Sequence, residues 1–281
     1  MKTINVSEII STVSRLCQEA NYFLPEDVEA CLRKARSDEE SPVGQETLKQ
    51  ICANAALARN EQTPICQDTG ITLVYLEIGQ DIHIEGGPLS EAVNEGVRRG
   101  YKEGYLRKSI VSPPFGSRVN TGDNTPAVIH TDIVPGDKLR ITVMPKGGGS
   151  ENMTRLFMLT PSDGIPGIIS SVVKSVEEAG SNPCPPVIVG VGIGGTAEKA
   201  IDLSKRAVLR QTGVPGSDKE TLELEKEILT KINNLGIGPQ GYGGRITALA
   251  VHIETYPTHM ATMPLAVTLV CHAARHKEAI L

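Results

Sequence analysis

PVIVGVGIGGTAEKAIDLSKRAVLR, residues 186–210, reads as a β-strand, a glycine-rich turn and a helix, and the reading of its glycines decides the fold. GVGIGG, Gly190 to Gly195, matches G-x-G-x-x-G between that strand and that helix, the phosphate-binding pattern of dinucleotide folds. Such a fold next needs a second parallel strand ending in an acidic residue roughly twenty positions on. The chain instead continues as RQTGVPGSDKE, with no strand pattern. The glycines are therefore read as close packing of helix on strand, or as a contact for a small anion.

Working outward, the first sixty residues predict three helices, with Ser7 as a cap for the first and Pro25 in the first turn of the second. From Ile71 the period changes. ITLVYLEIG predicts a strand and PLSEAVNEGVRRGYKEGYLRKS a helix; PAVIHTDIV and KLRITVMP predict two more strands, separated by the turn signal PGD. Helices are expected around Thr154–Leu159 and Gly167–Ala179, and a charged one from Asp218 to about Asn234. The apolar runs ITALAVHIE and MPLAVTLV close the pattern as strands. The fold class is α/β (mixed α+β), a helical N-terminal region followed by mixed β-sheets flanked by helices. It is expected as one domain over residues 1–281, bilobal at most, with QTGVPGSDK the only candidate boundary.

A net charge of −5 and an aromatic content of 3% without Trp argue against a nucleic-acid surface, which needs basic stripes and stacking rings. MKTINVSEIIS lacks the apolar core of a signal peptide, no run reaches the length of a membrane span, and the six cysteines form no compact framework. A cytoplasmic protein without membrane partners is expected.

The cysteines sort into two kinds. Cys17, Cys31 and Cys52 fall on apolar stripes of the predicted helices, where a thiol is a small hydrophobe. Cys66 in TPICQDTG, Cys184 in SNPCPPVIVG and Cys271 at the head of CHAARH stand in Gly/Pro/polar punctuation. Three such thiolates suit a metal centre with one open coordination position, although no CxxC spacing marks one.

Other motifs carry two readings each. KGGGSEN, Lys146 to Asn152, is either a turn or a cradle whose glycine amides meet an anion beside the Lys146 charge. Arg107, Lys108 and Arg118 lie in loops where an arginine can clamp a carboxylate, or is simply solvated. Among six histidines only His259, in YPTHMATMP, has site-like surroundings. Should Cys66 bind a metal, Gln67 and Asp68 are delivered to its edge, Gln67 to bond a substrate carboxylate and Asp68 to handle a proton.

PICQDTG, LRKSIV, NTGDNTPAVIH, KGGGSEN, NPCPPVIVGVGIGG, LGIGPQGYGG and THM…TLVCHAARH together resemble the class I, iron–sulfur-dependent fumarate hydratases, in consistent order from about Asp27 to Arg275. The likeness is to the α subunit of the two-subunit form. It implies that Cys66, Cys184 and Cys271 hold a [4Fe–4S] cluster with one iron free of protein ligands. It further implies that Gln67, Arg107 and a glycine of KGGGS, Gly148, contact the substrate, that Asp68 handles or orients a proton, and that His259 lies beside the site.

The implied activity is that of a hydro-lyase of the tricarboxylic acid cycle interconverting fumarate and (S)-malate, a small dicarboxylate pair. The open iron would act as Lewis acid on the hydroxyl, with arginines and glycine amides stabilising the charged carboxylate. The resemblance assigns the general base to a β subunit, so a hetero-oligomer is expected and this chain alone should turn over little. L-tartrate dehydratase is the neighbouring alternative. A different class is a zinc-binding, noncatalytic module in which His259 completes a closed tetrahedral site with the three cysteines.

Overall fold

A computed structural model describes residues 2–214, 216 and 218–281. In chain order the elements are β1 (Lys2–Asn5), α1 (Val6–Tyr22), α2 (Glu26–Asp38), α3 (Pro42–Glu61), β2 (Ile71–Gly79), β3 (Ile82–Glu85) and α4 (Leu89–Glu103). There follow β4 (Val111–Ser112), β5 (Val119–Asn120), β6 (Val128–Val134), β7 (Leu139–Lys146), α5 (Gly148–Glu151), β8 (Arg155–Leu159) and α6 (Gly164–Ala179). The last are β9 (Val187–Gly194), α7 (Ala197–Ala207), α8 (Lys219–Asn233), β10 (Ala248–Tyr256), β11 (Met263–Val270) and β12 (Lys277–Ile280). The class is the expected one, mixed α/β. The chain divides into two interleaved units: Met1–Leu24, Ala55–Gly148 and Arg275–Leu281 form unit 1, and Pro25–Asn54 with Gly149–Ala274 form unit 2. Of the QTGVPGSDK stretch, Pro215 and Ser217 lie outside the described residues.

Unit 1 is built on the sheet β12-β7-β2-β6, with β2 parallel to β6 and antiparallel to β7. The PGD turn therefore joins two strands that are not neighbours, since β2 lies between them. Helices α1 and α4 pack together over this sheet, burying Ile9, Val13, Leu16, Val93, Val97 and Tyr101 against Val74, Leu76, Ile141 and Val143. Ser7 does not cap α1. Asn5 does: its Oδ1 accepts from the Ser7 amide at 3.0 Å, and Glu8 completes a capping box. Cys17 lies in this core, where burial pushes its thiol up to about 12. Cys31 and Cys52 are only half-buried, because each sits at the margin of its helix's apolar stripe.

Unit 2 is built on the sheet β10-β9-β11-β8, with β9 parallel to β10 and antiparallel to β11. Val187, Val189 and Val191 share a core with Val172 and Val176 of α6 and Ile228 and Ile232 of α8. The alternate residues of β9 face α7. A Cβ at Gly190 would lie 2.1 Å from the Ser204 carbonyl oxygen, and one at Gly192 2.0 Å from that of Ala200. The glycine-rich segment thus lets α7 sit directly on the strand, and packing accounts for these glycines.

Residues 154–159 correct the helix expected there. Arg155–Leu159 is a strand paired antiparallel with β11, Phe157 opposite Leu265, and its exposure alternates residue by residue. An isolated five-residue apolar run has too few turns to hold a helix, while the β11 edge offers it a ladder. Among the described residues no helix is long and apolar enough to cross a membrane.

Candidate active site

In unit 1 the loop Cys66–Gly70 leads into β2 and is gripped from all sides. Gly70 has φ +76°, and a Cβ there would fall 2.7 Å from the backbone of Lys146, so only glycine fits. The Asp68 carboxylate accepts from the Gly70 amide at 3.1 Å and, through Oδ2, from the Gly148 amide at 2.8 Å. This joins the QDTG and KGGGS segments. The Thr69 hydroxyl donates to the Arg107 carbonyl at 2.7 Å, tying in the LRKS loop. Asn124 of NTGDNTP donates to the Gly70 carbonyl at 3.2 Å and accepts from the Ser109 amide at 2.7 Å. Four stretches far apart in sequence therefore meet at one hub.

Beneath the hub, the Tyr101 hydroxyl donates to the Thr69 carbonyl at 2.6 Å, and burial pushes its phenol well above the ordinary range. Around the loop, Gln67 and Arg107 are exposed, Asp68 is half-buried and Lys146 is buried. The Gly148 amide is already committed to Asp68. The Asp68 amide in turn donates to the Cys66 sulfur at 3.4 Å.

Unit 2 brings the other two cysteines together. Cys184 is exposed, with φ +54°, in the turn before β9; Cys271 immediately follows β11. The His272 amide donates to the Cys184 carbonyl at 3.4 Å, and His272 Nδ1 lies 3.0 Å from the same oxygen. Gln240, in LGIGPQG, donates its amide N–H to the Pro185 carbonyl at 2.8 Å and places Nε2 3.0 Å from His272 Nδ1. Gln240 and His272 were not singled out as individual residues in the sequence, although they lie in LGIGPQGYGG and CHAARH, two of the segments that carry the resemblance.

His259 stands elsewhere. It is exposed in the turn between β10 and β11, with Nδ1 accepting from the Ala261 amide at 3.1 Å, and the neighbouring Thr258 hydroxyl donates to the Gly195 carbonyl at 2.9 Å. Cys271 and Cys184 lie at the far end of β11 and the near end of β9, so about 25 Å of strand separates His259 from them.

The donor set has the chemistry a thiophilic group requires. Of Cys66, Cys184 and Cys271, none is fully buried and none is in a disulfide. Cys66 belongs to unit 1, the other two to unit 2. Among the described residues, no three or more His, Cys, Asp or Glu side chains are gathered closely enough to hold a metal ion.

The family described as fumarate hydratase (Fumerase) matches residues 10–280. A protein of Methanocaldococcus jannaschii named "Putative L(+)-tartrate dehydratase subunit alpha" is 44% identical over 272 residues, covering 95% of each chain. The L(+)-tartrate dehydratase subunit alpha of Escherichia coli strain K12 is 32% identical over 274 residues, covering 96% of this chain and 89% of its own; that of Shigella sonnei matches equally well.

Proposed function

Because the chain belongs to the fumarate hydratase (Fumerase) family, we propose that it is the α subunit of a hydro-lyase that removes water from a 2-hydroxy dicarboxylate, with (S)-malate and fumarate as the pair. In this reading Cys66, Cys184 and Cys271 hold a [4Fe–4S] cluster, which when bound supplies a Lewis acid for the departing hydroxyl. The reaction breaks one C–O and one C–H bond and forms a C=C bond and water, with no net redox change.

The chain's own residues bind and orient. Arg107, exposed beside the loop, offers a planar fork for one substrate carboxylate. Gln67 presents an amide next to Cys66 for a second contact. Asp68, its carboxylate held by two backbone amides, keeps lone pairs free to orient the hydroxyl or carry its proton. Gly148 serves by fixing that carboxylate through its amide. His259 lies at the end of its own sheet remote from Cys184 and Cys271. The general base comes from a β subunit.

The observation carrying this reading is the hub at Asp68, where the separate segments of the family resemblance meet on one carboxylate and its loop. A second reading, L(+)-tartrate as substrate, is favoured by the names of the relatives. The discriminating experiment is anaerobic co-expression with a candidate β chain and parallel assays on malate and L(+)-tartrate. Brown, air-sensitive protein that loses its iron in Cys66→Ser, Cys184→Ser or Cys271→Ser is expected, with malate the better substrate and little turnover by the α chain alone. A colourless, air-stable zinc protein, or full activity from this chain by itself, would overturn the proposal.

A further inference from the structure

Beneath the Cys66–Gly70 loop lies a charge with no carboxylate of the described residues in ion-pair contact. The Arg275 guanidinium is 3% exposed. Its Nη1 donates to Asn21 Oδ1 of α1 at 3.0 Å and its Nη2 to the Asp68 carbonyl at 2.8 Å. Its Nε is buried with no hydrogen-bond partner among the described residues. An arginine stays protonated at any working pH, and burying an ion among neutral acceptors is costly unless something repays it.

The loop does not need this charge merely to satisfy its backbone. Tyr101 takes the Thr69 carbonyl, Asn124 the Gly70 carbonyl, and the Asp68 carboxylate takes the Gly70 and Gly148 amides. What Arg275 adds is a two-pronged bridge from α1 to the main chain of Asp68, the residue whose side chain closes the hub. It also adds a fixed positive potential behind the loop. That potential reaches the loop's supports, since the charges on Arg275 and Asp68 act on the Tyr101 phenol in opposite senses.

We propose that Arg275 is a positioning residue: its fork fixes the direction in which Gln67 and Asp68 leave the main chain, and its unpaired charge favours an anion bound in front of the loop. This deepens the function proposed above and rests on it for the anion's identity, a dicarboxylate.

Two variants separate the fork from the charge. Arg275→Met removes both; Arg275→Lys keeps the charge but cannot span Asn21 and Asp68 together. Hydrogen–deuterium exchange of the full chain is read on peptides covering 65–71, with α6 and β9 of unit 2 as reference. Loss of a charge-assisted hydrogen bond should speed exchange at 65–71 by about tenfold or more in Arg275→Met, and by less in Arg275→Lys, with the reference unchanged. In enzyme assembled with a β chain, KM for malate should rise about tenfold in Arg275→Met and be largely restored in Arg275→Lys, while kcat falls in both.

Wild-type exchange at 65–71 in both variants overturns the proposal. So does a loosening spread evenly through unit 1, which would make Arg275 a general fold residue. If Arg275→Met does not fold, Arg275→Lys carries the test: wild-type exchange and a wild-type kcat refute the fork. A wild-type enzyme that turns over no hydroxy dicarboxylate sinks the functional reading while leaving the exchange result standing.

Discussion

Replacing Glu39 by Gln should cost unit 2 a large part of its stability at neutral pH and little at acid pH. Glu39 ends α2 and is 2% exposed. Burial alone would raise its pKa, but amides of Arg245, Ser41, Ile246 and Glu40 donate to the carboxylate and bring it below the usual carboxylate range. The contacts measure 2.9 Å from the Glu40, Ser41 and Arg245 amides to Oε1 and 2.8 Å from the Ile246 amide to Oε2. Glutamine keeps one oxygen. Turned toward the three Oε1 donors, it sets its NH2 against the Ile246 N–H, donor facing donor. One charge-assisted bond lost and three weakened by about half amount to about 4 kcal/mol.

The sign with pH follows from the depressed pKa: the stabilisation is present above the ordinary carboxylate range and is lost as pH falls through the folded value. Urea unfolding of wild type and Glu39→Gln, followed by circular dichroism because the chain has no Trp, should show the difference at pH 7 and its shrinkage only once pH falls below the ordinary carboxylate range. A difference below about 1 kcal/mol at pH 7, or one independent of pH, would refute the reasoning. The same anchor fixes the glycine-rich segment that carries Gln240 to Pro185, so the variant should also loosen the turn holding Cys184.

His252 gives a second pH signature. It is buried, its Nδ1 lies 3.1 Å from the Ala207 carbonyl, and burial first, then the Arg210 charge, lowers its pKa to about 4. The unfolded chain takes up this proton first, so stability should be full above pH 6.5 and fall by about 3 kcal/mol toward pH 4. A His252→Asn variant that keeps the whole wild-type slope would contradict this. Gly192→Ala puts a methyl 2.0 Å from the Ala200 carbonyl oxygen and should cost more than about 3 kcal/mol or abolish folding. An unchanged melting temperature would mean that α7 does not rest on β9.

Much of the fold was legible because most segments carry their own period. The three N-terminal helices and strands β2, β6, β7, β9, β10 and β11 stand where apolar spacing and turn residues predict them. Arg155–Leu159 was misread because a short apolar run has no period of its own; the ladder to β11 made it a strand. The buried and exposed thiols were separable by their neighbours, as Cys17 and Cys184 show. His259 looked site-like from its loop composition, whereas the cysteine end of unit 2 is held by His272 and Gln240.

The sequence on its own determined the fold class, the family, and which residues have the chemistry for a site, since side-chain type and local period are properties of short stretches. Only the tertiary structure decided which of them meet. Asp68 reaches Gly148 across 80 residues and Arg275 reaches Asp68 across 207, contacts set by sheet order and helix seating that no local pattern encodes. The same holds for Arg275, an unremarkable arginine in CHAARH until its burial beneath the loop gives its charge a place to act.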